Sequence, residues 1–235
     1  NVMHNDLILL NMVPDVGSLR TKALLEYFGS TQNIFKASVS EFVKVAGIGS
    51  KISQNILRVA KDRSLLDKEL KLIEKHNVRV ITLFDDGYPE ILKQIHDPPI
   101  VLYIKGEFKL EDRLSVAIVG SRQCTRYGRD TAERLARELA DYGITVVSGL
   151  ARGIDTAAHN GALSRNSRTI AFLGSGLANI YPPDNRKLAD RIAECGAVVS
   201  EFPMGLKPLP ENFPRRNRLI SGMSQGVVVV EAAKD

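Results

Sequence analysis

From Ser115 onward, short apolar runs alternate with amphipathic stretches, and this alternation is the strongest constraint the sequence places on the fold. Near-continuous apolar runs fall at 116–119, 144–148, 169–173, 197–200 and 227–230. Between them, 130–142, 155–163 and 187–195 carry apolar residues at helical spacing, and 219–223 reads as a helical turn. Strands that are apolar on both faces and separated by helices predict a mostly parallel sheet with helices on both faces. Ahead of this half, 78–83 and 100–104 are strand-like. They are separated by the turn Asp86-Gly87-Tyr88-Pro89 and by Pro98-Pro99.

Three runs end in glycine turns. Gly120-Ser121-Arg122 follows the first strand, where open α/β sheets bind ligands. Glycine lets the backbone turn close to an anion, serine offers a hydroxyl, and arginine grips phosphate with a planar fork. Ser148-Gly149-Leu150-Ala151-Arg152-Gly153-Ile154-Asp155 follows another strand and leads into a helix. Its backbone N–H groups would form an anion site at the helix start. Asp155 reads as that helix's cap, and His159 as a packed residue. Gly174-Ser175-Gly176 closes a third strand. Any one turn could be purely structural; three on one sheet edge converge in space.

A fourth cluster, Phe213-Pro214-Arg215-Arg216-Asn217-Arg218, follows Pro208-Leu209-Pro210 and reads as a loop. Its arginines suit phosphate and its aromatic ring suits a base. The alternative is a solvated basic loop with Phe213 in the core. The first 70 residues read as short helices. Within them, Val45-Ala46-Gly47-Ile48-Gly49-Ser50-Lys51 has the pattern of a helix-hairpin-helix, whose glycine hairpin offers backbone N–H groups to DNA phosphate. Val13-Pro14-Asp15-Val16-Gly17 reads as a degenerate copy.

Composition narrows the function. The net charge of +5 is spread over both halves, which is compatible with nucleic acid without requiring it. No apolar run approaches the roughly 20 residues that span a bilayer. Cys124 and Cys195, the two cysteines, form no metal or redox motif. The expected location is therefore cytoplasmic, with no membrane association. There is no Walker lysine motif, no zinc spacing and no nucleophile elbow, so no cofactor, metal or catalytic residue is assigned. The chain stops at Asp235 just after its last apolar run, 227–230, with no helix to cover it, so the sequence reads as truncated at its C-terminus.

In order and spacing these motifs resemble the DprA/Smf family of bacterial DNA-processing proteins. Besides the turns above, the match takes in Ala158-His159, Tyr181-Pro182, Ser200-Glu201-Phe202-Pro203 with Gly205, and the run from Phe213 to Ser224. The resemblance implies an extended Rossmann-like domain, here 71–235, and a small all-α domain of sterile-alpha-motif-like, helix-hairpin-helix type, here 1–70. It implies a recombination mediator, not an enzyme, that binds and protects single-stranded DNA and loads RecA during natural transformation. Single-strand-binding protein and a homodimeric partner belong to that picture. By motif, Gly120, Ser121 and Arg122 would cradle phosphate with Ser148 and Gly149 beside them. Phe213, Arg215 and Arg218 would line the same groove, and Lys207 would add charge. Gly153, Gly174, Ser175, Gly176, Arg216 and Asn217 complete the expected site. Where the family often has lysine after Tyr-Pro, this sequence has Pro183.

The competing enzyme reading is a nucleotide phosphoribohydrolase, which shares the Gly-Ser-Arg turn. It needs a later Pro-Gly-Gly-x-Gly-Thr-x-x-Glu stretch, where this chain has only Val227-Val228-Val229-Val230-Glu231-Ala232-Ala233.

Overall fold

The computed structural model describes residues 2–232. Asn1 and 233–235, and with them the expected truncation point at Asp235, lie outside the described residues. Six helices come first: α1 (Val2–Asn11), α2 (Ser18–Phe28), α3 (Thr31–Lys36), α4 (Val39–Phe42), α5 (Ser50–Lys61) and α6 (Ser64–Lys75). Gly29 ends α2 with φ of 75°, a left-handed cap that glycine adopts without steric cost. The two glycine hairpins lie side by side: the Arg20 guanidinium donates to Gly47 O (2.9 Å) and to Asp15 O (2.7 Å).

The rest is one sheet with its helices: β1 (Arg79–Thr82), α7 (Glu90–Lys93), β2 (Val101–Gly106), β3 (Ser115–Gly120), α8 (Arg126–Asp141), β4 (Thr145–Ser148), α9 (Ile154–Leu163), β5 (Thr169–Phe172), α10 (Arg186–Cys195), β6 (Ala197–Ser200), α11 (Asn212–Gly222) and β7 (Gly226–Val230). The strand order is β1-β2-β6-β5-β4-β3-β7. The five strands from β6 to β7 are parallel; β1 and β2 are antiparallel additions, with Tyr103 opposite Ser200.

Side chains alternate between the two faces as strand geometry requires. On one face Ile118 and Val146 pack against alanines of α8 and α9. Further along that layer, Val101, Tyr103 and Val198 share a core with Leu188 and Ile192 of α10 and with Leu7, Leu10, Leu24, Phe42 and Ile56 of the N-terminal helices. The helical segment is thus fused to the sheet through common apolar burial, the largest favourable contribution to folding. On the other face Ala117, Val147, Ile170, Phe172 and Val199 pack under Leu219, Ile220 and Met223 of α11, beside Tyr88 and Leu92. Buried Tyr88 donates its hydroxyl to Pro99 O (2.9 Å), closing the approach to β2.

The connectivity decides where a ligand can sit. The chain winds outward from β3 through β4 and β5 to β6, then returns on the opposite face through α11 to place β7 on the far side of β3. Strand order therefore reverses between β4 and β7 around β3. In doubly wound sheets the crevice at such a switch point, outside the carboxyl ends of the strands, is the usual binding place.

One sequence expectation is corrected. The arginine-rich stretch is not a loop leading to a helical turn at 219; α11 begins at Asn212. Pro214 sits in its first turn, where a missing N–H breaks no helical hydrogen bond.

Candidate nucleic-acid interface

A cleft of about 580 Å³ opens between the carboxyl ends of β3 and β7 and helix α11. Gly120, Ser121 and Arg122 form one wall; Asn217, Ile220 and Val229 line the opposite side. Ser121 N–H donates to Glu231 O (2.8 Å), and Gln123 N–H donates to Ser121 Oγ (3.1 Å), which fixes the turn and leaves the Arg122 side chain exposed. The Arg122 guanidinium stands 5.0 Å from the centroid of the Phe213 ring. A cation over an aromatic face is attracted by the ring quadrupole.

Not all the glycine turns face the cleft. Gly149 makes room for the Arg216 guanidinium, since a Cβ there would fall 2.6 Å from it. Gly174 does the same for Phe213, at 2.8 Å. Gly153 lies against Ser121 O with φ of 79°, and Gly176 against the carbonyls of Pro203 and Met204. The hydroxyls of Ser148 and Ser175 are buried and donate to Ile118 O and Asn179 O, both at 2.7 Å.

The anion site expected at the start of α9 is occupied from within. Gly149 and Ala151 N–H donate to Asp155 Oδ2 at 3.1 and 3.2 Å. Asp155 therefore caps the preceding loop, while Gly153 holds the N-cap position of the helix. Burial raises the Asp155 carboxyl above the ordinary range, opposed by the Arg216 charge and by these hydrogen bonds. Beneath it His159 is fully buried, with Nδ1 2.7 Å from Thr169 Oγ1. Burial, reinforced by Arg216, pushes its pKa down to about 3.

The four basic residues expected between 207 and 218 separate into three environments. Arg216 points inward, 4% exposed, and donates to Gly149 O (2.6 Å) and Phe172 O (2.5 Å). Burial lowers its pKa to about 10, with Asp155 opposing and Arg122 adding to the drop. Arg218 is half-buried and held by both carboxylate oxygens of Glu201 (2.6 and 2.8 Å), with Asp97 3.4 Å away. Arg215 and Lys207 are exposed and in no ion pair among the described residues; Arg215 lies over the Phe202 ring at 5.2 Å. Arg122 has no ion pair there either.

The inward turn of Arg216 follows the helical spacing of α11, which the loop reading of this stretch hides. Asn212, Arg216, Leu219, Ile220 and Met223 are spaced as one helical face, and all five are buried. Glu201 is singled out in the sequence only as part of a motif; its role, a carboxylate that takes Arg218 away from solvent, is not foreseen.

The carboxylates around the cleft are committed. Asp155 holds the loop, and Glu231 accepts from Thr125 N–H (2.8 Å) and from the Thr125 hydroxyl. Among the described residues no group of three histidines, cysteines or carboxylates is placed to hold a metal, and no helix is long and apolar enough to cross a membrane.

Residues 79–235 match the family model for DNA recombination-mediator protein A, and 7–62 match that of the SAM-like helix-hairpin-helix tandem. Protein Smf of Synechocystis is 40% identical over 94% of this chain and 56% of its own length. The X-ray structure of DNA processing protein A from Streptococcus pneumoniae superposes with a TM-score of 0.77 at 32% identity, covering 97% of this chain and 78% of that one. DNA processing protein A from Helicobacter pylori, solved for its single-stranded DNA binding mode, superposes with a TM-score of 0.59 at 37% identity over 67% of this chain and 71% of that one. The chain spans about half the length of the first curated relatives it matches.

Proposed function

This chain belongs to the DNA recombination-mediator protein A family, and on that premise we propose that it binds single-stranded DNA along the cleft beside β3 and β7. The observation that carries the reading is Arg122: an exposed guanidinium, in no ion pair among the described residues, held on a fixed glycine turn at the switch point and over an aromatic ring. A phosphate would meet Arg122 at the turn of Gly120 and Ser121. Phe213 and Asn217 form the adjoining wall, and Arg215 and Lys207 extend the positive rim. Ser148, Gly149, Gly153, Gly174, Ser175, Gly176 and Arg216 act from beneath, shaping the turns that carry these groups. Arg218 is assigned to positioning, through Glu201.

The chemistry is binding. Both cleft carboxylates are held by backbone N–H groups, so the phosphoribohydrolase reading finds no free acid or base in the cleft among the described residues. We extend the proposal to the whole protein: protection of incoming single strands, exchange with single-strand-binding protein, RecA loading during natural transformation, a homodimeric state and a cytoplasmic location. The division into a helical unit, 1–70, and a Rossmann-like unit, 71–235, belongs to the same proposal.

A titration of single-stranded against double-stranded DNA at two salt concentrations tests the core claim. Single strands bind more tightly, and affinity falls as salt rises, because bound phosphates release counterions. Arg122→Ala lowers affinity about tenfold and reduces the log–log salt slope by about 0.7, one phosphate contact on a single strand. Unchanged affinity and slope in that variant would defeat the assignment.

A further inference from the structure

We propose that Tyr181 is a base-stacking platform beside the cleft, receiving an unpaired base of the strand whose phosphate meets Arg122. The inference rests on the single-strand reading above and adds a residue and a ligand chemistry to it.

Tyr181 lies between β5 and α10, and the residue is 40% exposed. The neighbouring Pro182 is buried, so the chain is anchored immediately beyond the exposed ring. The Tyr181 hydroxyl makes no hydrogen bond among the described residues. Its ring centroid is 5.9 Å from that of Phe213, with the planes tilted by 55°. Two depressions meet at this pair. One, of about 460 Å³, has Pro208, Pro210 and Pro214 in its wall; the other, of about 220 Å³, runs toward Gln123 and Arg152. Arg122, Tyr181 and Phe213 border both.

This layout fits a strand better than a small ligand. A single cation marks a place for the backbone, and the Tyr181 ring beside it borders both hollows. Every base has a π-face, so such platforms accept any sequence. Prolines opposite the rings give a wall with no N–H donors of their own, which suits stacking and not base-edge readout. Arg152, the other cation bordering this region, is paired with Asp184 at 2.7 Å.

The test compares an oligothymidylate with an abasic deoxyribose-phosphate strand of equal length, using wild type, Tyr181→Ala and Tyr181→Phe. Stacking of one base predicts about a tenfold loss for Tyr181→Ala on the oligothymidylate. It predicts no loss on the abasic strand, and binding within about twofold of wild type for Tyr181→Phe. An equal loss on both strands, or no loss on the oligothymidylate, overturns the platform. Tyr181→Leu, which keeps apolar bulk without the aromatic face, separates stacking from loop collapse: it must lose affinity as alanine does. Wild type failing to bind either strand would instead sink the single-strand reading, and the platform with it.

Discussion

Arg122 and Arg216 stand on the same ring, with guanidinium carbons 5.0 and 5.8 Å from the Phe213 centroid, yet they belong to different parts of the cleft. Arg122 is on the rim, exposed and in no ion pair among the described residues. Arg216 is in the floor, bonded to the carbonyls that end β4 and β5 and facing the Asp155 charge. The floor is where the chain has consumed its own polar groups. Serine hydroxyls, loop N–H groups and one carboxylate are all paired internally, as buried polar groups must be. The rim is where they remain available. A cleft for a polyanion needs both: a floor rigid enough to fix the turns, and cations free to be neutralised by something from outside.

Substitutions should therefore separate along this line. Arg216→Ala gives the largest effect. It strips two buried carbonyls of their donor and leaves Asp155 without its nearby cation, which costs on the order of 3–5 kcal/mol. Urea unfolding checks this. If the variant keeps its stability and loses only DNA affinity, the floor and rim are one functional surface and the division fails.

Acid comes next. His159 stays neutral in the folded chain down to about pH 3, whereas the unfolded chain takes up a proton below the ordinary histidine pKa of about 6.5. Stability is thus fully present above pH 6.5 and lost as pH falls toward 3. The loss is on the order of 2 kcal/mol between pH 6.5 and 5. Asp155, whose carboxyl is raised, works in the opposite sense: its contribution is present at low pH and lost as pH rises through the raised value. Comparing wild type with His159→Gln isolates the histidine, and the variant's stability should be flatter over that window. A parallel decline in both proteins would remove His159 from the account.

The smallest effect belongs to the outer rim. Lys207→Ala should leave unfolding within about 0.5 kcal/mol of wild type. It should weaken single-strand binding by less than about threefold while lowering the salt slope by up to 0.7. A fall in stability instead would move Lys207 into the structural part of the molecule.

The sheet, its helices and the glycine turns were legible in advance because they depend on local pattern: apolar runs, helical spacing, and glycine where a strand must turn into a helix. The start of α11 was not, because prolines and arginines gave the stretch the composition of a loop. Its inward face becomes visible only when Arg216 is counted with Leu219, Ile220 and Met223. The roles within the site were least legible of all.

The sequence by itself determined that three glycine turns would lie at one edge of a mostly parallel sheet with an arginine cluster within reach. Only the tertiary structure decided which of these groups faces a ligand. Gly149 and Gly174 are filled by Arg216 and Phe213, residues of a helix about 40 to 70 positions further along the chain. Arg218 is claimed by Glu201 from the end of β6. The reason is that a polar group's availability is not a property of its own residue. It depends on whether another part of the chain, brought near by burial of the sheet faces, has already supplied its partner.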